Sequence, residues 1–369
     1  MANQTQPYSS PVRVLRLVSI VSFTIVSCLC IWSTAVIGYP LKYFAPNLYH
    51  VWIDVAKQSF GIFLTTLNQI WTPCEITITG DRELEGLFSL NEDGTLNTKF
   101  EERAILMANH QLYSDWAYLW WIAFTAKLHG ALYIMLKASL KNIPIVGWGM
   151  QHYRFIFLTR KWQVDEKILE KSLTKINEEK NWPAWLVLFP EGTTFSKNGY
   201  DKTVSYAKKT DVAVPKHVLL PRSTGLRYSL SKLDDSVEYL YDATIHYAGM
   251  QKEVYGEDYY TLKAIYFTGV YPKHVSIYWR RYRVKDIPYQ DEEAFTKWIQ
   301  DRWYEKDQIL DRMIQTGSFG DDQMKPLRVP VKLNSLLQAF QIISVPLNVV
   351  LIISLVKKHV PNLIRAFQG

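Results

Sequence analysis

The sequence predicts an α/β protein: a layered αβα domain on a mostly parallel central sheet, framed by an N-terminal transmembrane helix and a C-terminal hydrophobic segment. Three observations predict it. Between about residues 76 and 313, short continuous apolar runs alternate with helical patterns, as strands buried on both faces and their crossover helices would. Near the start, roughly 21 residues pass without a charge, enough for a helix to cross a bilayer core. A second long apolar stretch lies close to the other end.

Composition sets the outer bounds. With 48 % hydrophobic and 21 % charged residues, the 369-residue chain can sustain a packed core, and wholesale disorder is ruled out. Aromatic residues reach 14 %, with 13 Trp and 23 Tyr, and such amphipathic rings suit a membrane–water boundary. The formal net charge of +7 favours anionic partners. No long Lys/Arg run, zinc-finger or RNA-binding signature is present, so the anionic partner indicated is a lipid bilayer and its headgroups, with no nucleic acid. Of three cysteines, Cys28 and Cys30 lie inside an apolar stretch and Cys74 follows it. That is neither a disulfide framework nor a metal site, and no metal and no bound cofactor are expected.

Taken in order, Leu17–Ile37 reads as a retained anchor. It is longer than a signal-peptide core, and Tyr39-Pro40-Leu41 is not a small-residue cleavage site. Arg13 and Arg16 before it and Lys42 after it differ too little to set an orientation. Tyr49–Trp71 reads equally as an interfacial or a core-packing helix. Arg103–Ala108, Phe155–Leu158, Trp185–Phe189, His217–Leu220, Ala243–Tyr247 and Val275–Tyr282 read as strands. Ser114–Leu128, Glu166–Glu179 and Asp291–Met313 read as helices, the last placing Phe295, Trp298, Ile299 and Trp303 along one side. Glu92–Gly94 and Ser196–Gly199 mark turns. Ala339–Val356 contains Pro346, so it spans with a kink or dips into the interface and returns, with Lys357 and Lys358 as a basic end. The expected organisation is an anchor over 1–45, an interfacial helix over 46–75, the α/β domain over 76–330 and a membrane-associated segment over 331–369.

Four elements carry candidate chemistry. After RAILMA the chain reads NHQLYSDW. His110 and Asp115 would point about 140° apart on one regular helix. They meet if His110 lies in the loop and Asp115 in the first turn of a helix capped by Ser114. The carboxylate would then fix one imidazole nitrogen and leave the other as a base for an alcohol. Taken alone, each residue reads more simply: Asp is favoured in any first helical turn, and a loop His is often only that. After the apolar run WLVLF comes PEGTTF, at the carboxyl end of a strand, where α/β sheets bind ligands. There Gly192 permits close backbone approach, the Thr193 hydroxyl suits phosphate oxygens, and Glu191 anchors the loop or meets a glycerol hydroxyl. FIFLTRK puts Arg160 just past another run, with a side chain matched to phosphate. LLPRSTG supplies Pro221 and Arg222, better suited to a wall than to ligand contact.

Together and in this order, these elements resemble the glycerolipid acyltransferase family, which includes the 1-acylglycerol-3-phosphate acyltransferases. NHQLYSDW fits that family's His-x4-Asp pattern, FIFLTRK its arginine motif, FPEGT its phosphate-side motif and LLPRSTG its proline-containing motif; WIQDRWYEKDQIL looks like its C-terminal helix. LKASLKNIPIVGWGMQ followed by FIFLTRKW is most similar to the eukaryotic branch with lysocardiolipin and lysophosphatidylinositol acyltransferases. The resemblance implies that His110 is the base and Asp115 its orienter. It places Arg160, Glu191, Gly192 and Thr193 at the phosphate site, and Lys137 where the family often has a basic residue. It further implies transfer of a fatty acyl group from acyl-CoA to the hydroxyl of a lysophospholipid, in the endoplasmic reticulum membrane or alternatively a mitochondrial one. The rival activities are a lipid hydrolase or CoA-independent transacylase, and a catalytically silent membrane scaffold. No GxSxG nucleophile elbow supports the hydrolase.

Overall fold

A computed structural model describes residues 8–249, 255–320 and 324–368, with the side chains of 356 and 358–368 excepted. The Lys358 side chain, read above as part of a basic end, lies outside them.

Helix α1 (Ser10–Gly38) is 29 residues long, about 43 Å at helical rise, and carries the uncharged stretch. One side, with Ile20, Ile31 and Ala35, is buried, while Val14, Leu15, Val18, Ile25 and Val26 are exposed. Apolar exposure of this extent on a helix of this length suits lipid contact. Helix α2 (Pro46–Trp71) follows. It buries Ile53, Ala56, Ile62, Phe63 and Leu67 and packs on α1, so the Tyr49–Trp71 segment packs into the core of the protein.

The described residues then form ten strands: β1 (Glu75–Gly80), a small hairpin of β2 (Phe88–Leu90) and β3 (Leu96–Thr98), β4 (Arg103–Ala108), β5 (Leu132–Lys137), β6 (Ile156–Leu158), β7 (Ala184–Leu188), β8 (Tyr239–Tyr247), β9 (His274–Arg283) and β10 (Leu327–Pro330). Eight form one sheet, ordered β10-β1-β9-β8-β4-β7-β5-β6. From β8 through β6 every neighbouring pair is parallel; β9 runs antiparallel to β8, and β1 follows β9. The mostly parallel sheet expected from the apolar runs is present.

Side-chain alternation along each strand divides the core in two. Ala104, Leu106, Trp185 and Val187 face a cluster shared with α2 and with α3 (Asp115–Thr125). Ile105, Met107, Leu186 and Leu188 face another, built on α5 (Trp162–Glu178), α7 (Ser223–Leu233) and α8 (Glu292–Thr316). Between these helices lie α4 (Val146–His152) and α6 (Lys197–Thr210). On α8, Phe295, Ile299 and Trp303 are buried, and fully burying a side chain of this size contributes about 1.5–3 kcal/mol. The chain ends in α9 (Gln341–Gln368), which continues through Pro346 and packs on α1. Among the described residues, two helical stretches are long and apolar enough to cross a membrane, Ser10–Phe44 and Leu336–Leu355.

One expected strand is absent. His217–Leu220 is a loop, because its backbone donors go to side chains. Asp307 takes the His217 N–H at 2.6 Å, Glu191 takes that of Leu219 at 3.3 Å, and the Thr203 hydroxyl takes that of Leu220 at 3.4 Å. The apolar run records burial of Val218 and Leu219, without a strand ladder.

Candidate active site

The parallel strands bring their carboxyl ends to one edge of the sheet. β4 leads into His110, its neighbour β7 into Phe189–Thr193 and β6 into Arg160, while β5 ends at Lys137. Residues scattered over the sequence converge because strand order places them side by side.

His110 lies in the loop and Asp115 is the first residue of α3. His110 Nδ1 lies 2.8 Å from Asp115 Oδ2, and in the neutral tautomer that donates to this carboxylate Nε2 carries no proton; the imidazole is 18 % exposed and the carboxylate 0 %. The ring stacks on Phe189 at 4.2 Å between centroids. Ser114 occupies the N-cap position, but its hydroxyl makes no capping bond. Asp115 itself organises the turn: its Oδ2 also accepts the N–H groups of Gln111 at 2.7 Å and Leu112 at 3.0 Å, and its Oδ1 accepts the Tyr247 hydroxyl. Asn109, fully buried, pairs its side-chain amide with both the N–H and the C=O of Ile245, extending the β4–β8 contact by one residue just where the ladder ends.

Glu191 is buried behind the imidazole. It accepts the N–H of His110 at 3.2 Å and of Leu219 at 3.3 Å, and the indole N–H of Trp303 at 3.4 Å. Burial pushes its carboxyl up to about 8, opposed by those same donors. The side chain thus ties three loops together. One turn along α8, Lys306 meets Asp242 at 2.6 Å, and Arg280 reaches the other Asp242 oxygen at 2.7 Å. Desolvation lowers the Lys306 ammonium to about 8 despite the carboxylate.

The other side of the site is open. Gly192 has φ +71°, a left-handed conformation that disfavours any side chain bearing a Cβ. Its carbonyl accepts Arg160 Nη2–H at 2.6 Å, and Arg222 lies alongside: a Cβ built on Gly192 would sit 3.4 Å from the Arg222 Nε. Both arginines are exposed, so two guanidiniums flank the glycine. Arg160 is itself left-handed at φ +67°; buried Asp165 accepts its N–H at 2.7 Å and that of Thr159 at 2.6 Å. Thr193 is half-buried beside Gly192, and Lys137 is exposed at the end of β5. Thr194, next along, donates its hydroxyl to Glu257. Among the described residues, no group of His, Cys, Asp and Glu side chains is placed to hold a metal ion.

Sequence reasoning had no route to Tyr247, which lies 132 residues from Asp115, or to Trp303 as a partner of Glu191. Asp165 carried a readable signal, an acid in the first turn of a helix. Arg222, assigned to the wall, lies against Gly192.

Comparison with known proteins bears on the same segments. Residues 81–243 match the model of the family described as acyltransferase, and residues 266–341 match that of the acyltransferase C-terminus. An uncharacterized acyltransferase of Schizosaccharomyces pombe is 42 % identical over 90 % of this chain and 93 % of its own. A 2-acyl-1-lysophosphatidylinositol acyltransferase of Saccharomyces cerevisiae is 37 % identical over 82 % of this chain and 83 % of its own. Lysocardiolipin acyltransferase 1 of Gallus gallus is 28 % identical over 79 % and 71 %. With the family models covering most of the sheet, both sides of the site and α8, and relatives matching across most of their length, the chain belongs to the acyltransferase family.

Proposed function

We propose that this enzyme moves a fatty acyl group from acyl-CoA to the free hydroxyl of a lysophospholipid, of the lysophosphatidic acid, lysophosphatidylinositol or lysocardiolipin type, at a membrane surface. The observation that carries the reading is the His110–Asp115 contact at 2.8 Å, beside a glycine flanked by two exposed guanidiniums. A base for an alcohol thus lies next to a cradle for phosphate.

Asp115 holds the proton on Nδ1, so Nε2 accepts the hydroxyl proton as the glycerol oxygen attacks the thioester carbonyl. Collapse of the tetrahedral intermediate breaks the C–S bond, and CoA leaves as a thiolate that takes up the proton held by the imidazole. No acyl-enzyme and no cofactor are needed. Arg160, Arg222 and the hydroxyl and backbone N–H of Thr193 are the groups that would hold the lysolipid phosphate, with Lys137 adding positive charge farther out. Glu191 acts from behind, fixing the loop that carries His110.

Membrane attachment follows from the substrate. Each buried CH₂ holds a lipid in the bilayer by about 0.8 kcal/mol, so a long-chain lysolipid is reached where it lies. The apolar faces of α1 and α9 suit that position, and the endoplasmic reticulum is the proposed location, with a mitochondrial membrane as the alternative. The test is the full chain in lipid nanodiscs, given one labelled acyl-CoA and a panel of lysophospholipids, beside His110→Ala. Acylation of one or a few members, abolished in the variant, is expected. Equal product formation by the variant would remove the reading.

A further inference from the structure

We infer that Tyr247 is a positioning residue for the reaction: its hydroxyl, donated to Asp115 Oδ1, holds the carboxylate so that the opposite oxygen faces His110. The inference rests on the general-base reading above and extends it to a third residue.

Asp115 is fully buried, and a buried carboxylate stays charged only where donors replace its water. Oδ2 has three donors, from His110, Gln111 and Leu112. For Oδ1 the donor is the Tyr247 hydroxyl. Three donors on one oxygen and none on the other would leave the unpaired oxygen in apolar surroundings and the plane of the carboxylate free to turn. The tyrosine closes that set. Its ring is fully buried, and burial together with the Asp115 charge raises the phenol well above its ordinary value, so it stays a donor across the working pH range.

The fold explains how a residue so far along the chain arrives there. Asn109 zips the end of β4 to Ile245 on β8, which sets the register of the two strands beside the catalytic loop. Tyr247 is two residues farther on and therefore on the same face of β8 as Ile245. The first residue of α3 lies across that face, with Tyr118 of the same helix against the Tyr247 ring at 5.9 Å. Strand pairing thus aims a phenol at the carboxylate that aims the imidazole.

The titratable groups facing this assembly are Asp115 and Tyr118 of α3, Tyr247 of β8, Cys74 ahead of β1 and Glu191 behind His110. Removing the phenol hydroxyl concentrates charge on the Asp115 oxygen that faces the imidazole. That stabilises protonated His110 and, because the base must be neutral, moves the acidic limb of the pH–rate profile upward.

The experiment uses the full chain in nanodiscs, measuring kcat and KM against pH for Tyr247→Phe, Tyr118→Phe, Asp115→Asn and the Asp115→Asn/Tyr247→Phe double variant. Tyr247→Phe is expected to lower kcat roughly 10- to 100-fold with KM little changed, the span of a hydrogen bond to a charged group, and to shift the acidic limb upward. Tyr118→Phe, equally buried and without a bond to the carboxylate, keeps the wild-type limb. Once Asp115 is replaced, the loss from Tyr247→Phe shrinks to within about twofold. If Asp115→Asn is impaired while Tyr247→Phe keeps the wild-type kcat and limb, the inference is wrong and the general-base reading stands. Full activity of Asp115→Asn overturns both. A thermal melt of each variant separates lost positioning from lost folding: a Tyr247→Phe enzyme that melts early and shows no shift of the limb counts against the inference.

Discussion

The two sides of the site are built in opposite ways. Around His110, Asp115 is buried with donors on both oxygens, Asn109 is paired at both ends and Glu191 ties three loops together. Around Gly192, the guanidiniums of Arg160 and Arg222 lie at the surface, Thr193 is half-buried and Lys137 stands in solvent. The difference separates two tasks. A base must be held within a fraction of an ångström of its working position, and a buried, fully bonded network does that. Under the proposed function, a phosphate carrying different groups would be admitted at the open side, and exposed cations tolerate such variety. On this view the rigid side governs turnover and the open side governs binding.

The contrast can be broken or sharpened by substitution. The largest effect is expected from Asp115→Asn, which permits the wrong imidazole tautomer and should reduce kcat on the order of 10³-fold with KM nearly unchanged. A KM effect of that size would dissolve the division of labour. Next comes Arg160→Ala, which should raise KM for the lysolipid about 10- to 100-fold while kcat falls less, with a weaker dependence on ionic strength than wild type. If kcat fell by the larger factor, the arginine would belong with the rigid side.

Glu191→Gln tests the boundary between the sides. The carboxyl is raised from its ordinary 4.5 to about 8 by burial, so the folded protein holds a proton that the unfolded chain releases. Stability therefore falls as pH rises from roughly 5 to 8 and levels off above it. Gln cannot ionise, so its melting temperature should lose that slope, with about 1–3 kcal/mol lost because an amide N–H₂ faces the Leu219 N–H. A variant that keeps the slope in melts at pH 5.5, 7 and 8.5 would assign it elsewhere. Smallest is Lys137→Ala: an exposed cation at the rim should change KM less than about threefold.

Much of this was legible in the residues. RAILMA and WLVLF are apolar at every position but the first Arg, and both became strands buried on two faces, β4 and β7. The contact expected if His110 lies in the loop and Asp115 in the first helical turn is present at 2.8 Å, while the roles of base and orienter came from the family resemblance. His217–Leu220 misled for a physical reason: apolar composition reports burial, while a ladder needs a neighbouring backbone, and side chains of Asp307, Glu191 and Thr203 took its donors instead. Glu191 was ambiguous between anchor and ligand since the sequence does not say which way a turn residue points, and the structure turns it inward. Tyr247 was out of reach because only strand register brings it to Asp115.

The most direct test of the central claim is a single-turnover measurement of CoA release from acyl-CoA, with and without a lysophospholipid acceptor. If an imidazole steered by Asp115 activates the lipid hydroxyl, CoA appears only when acceptor is present, in step with the diacyl product. His110→Ala should abolish both while the lysolipid still binds. Release of CoA without acceptor, or acceptor-dependent release that survives loss of His110, would contradict the account.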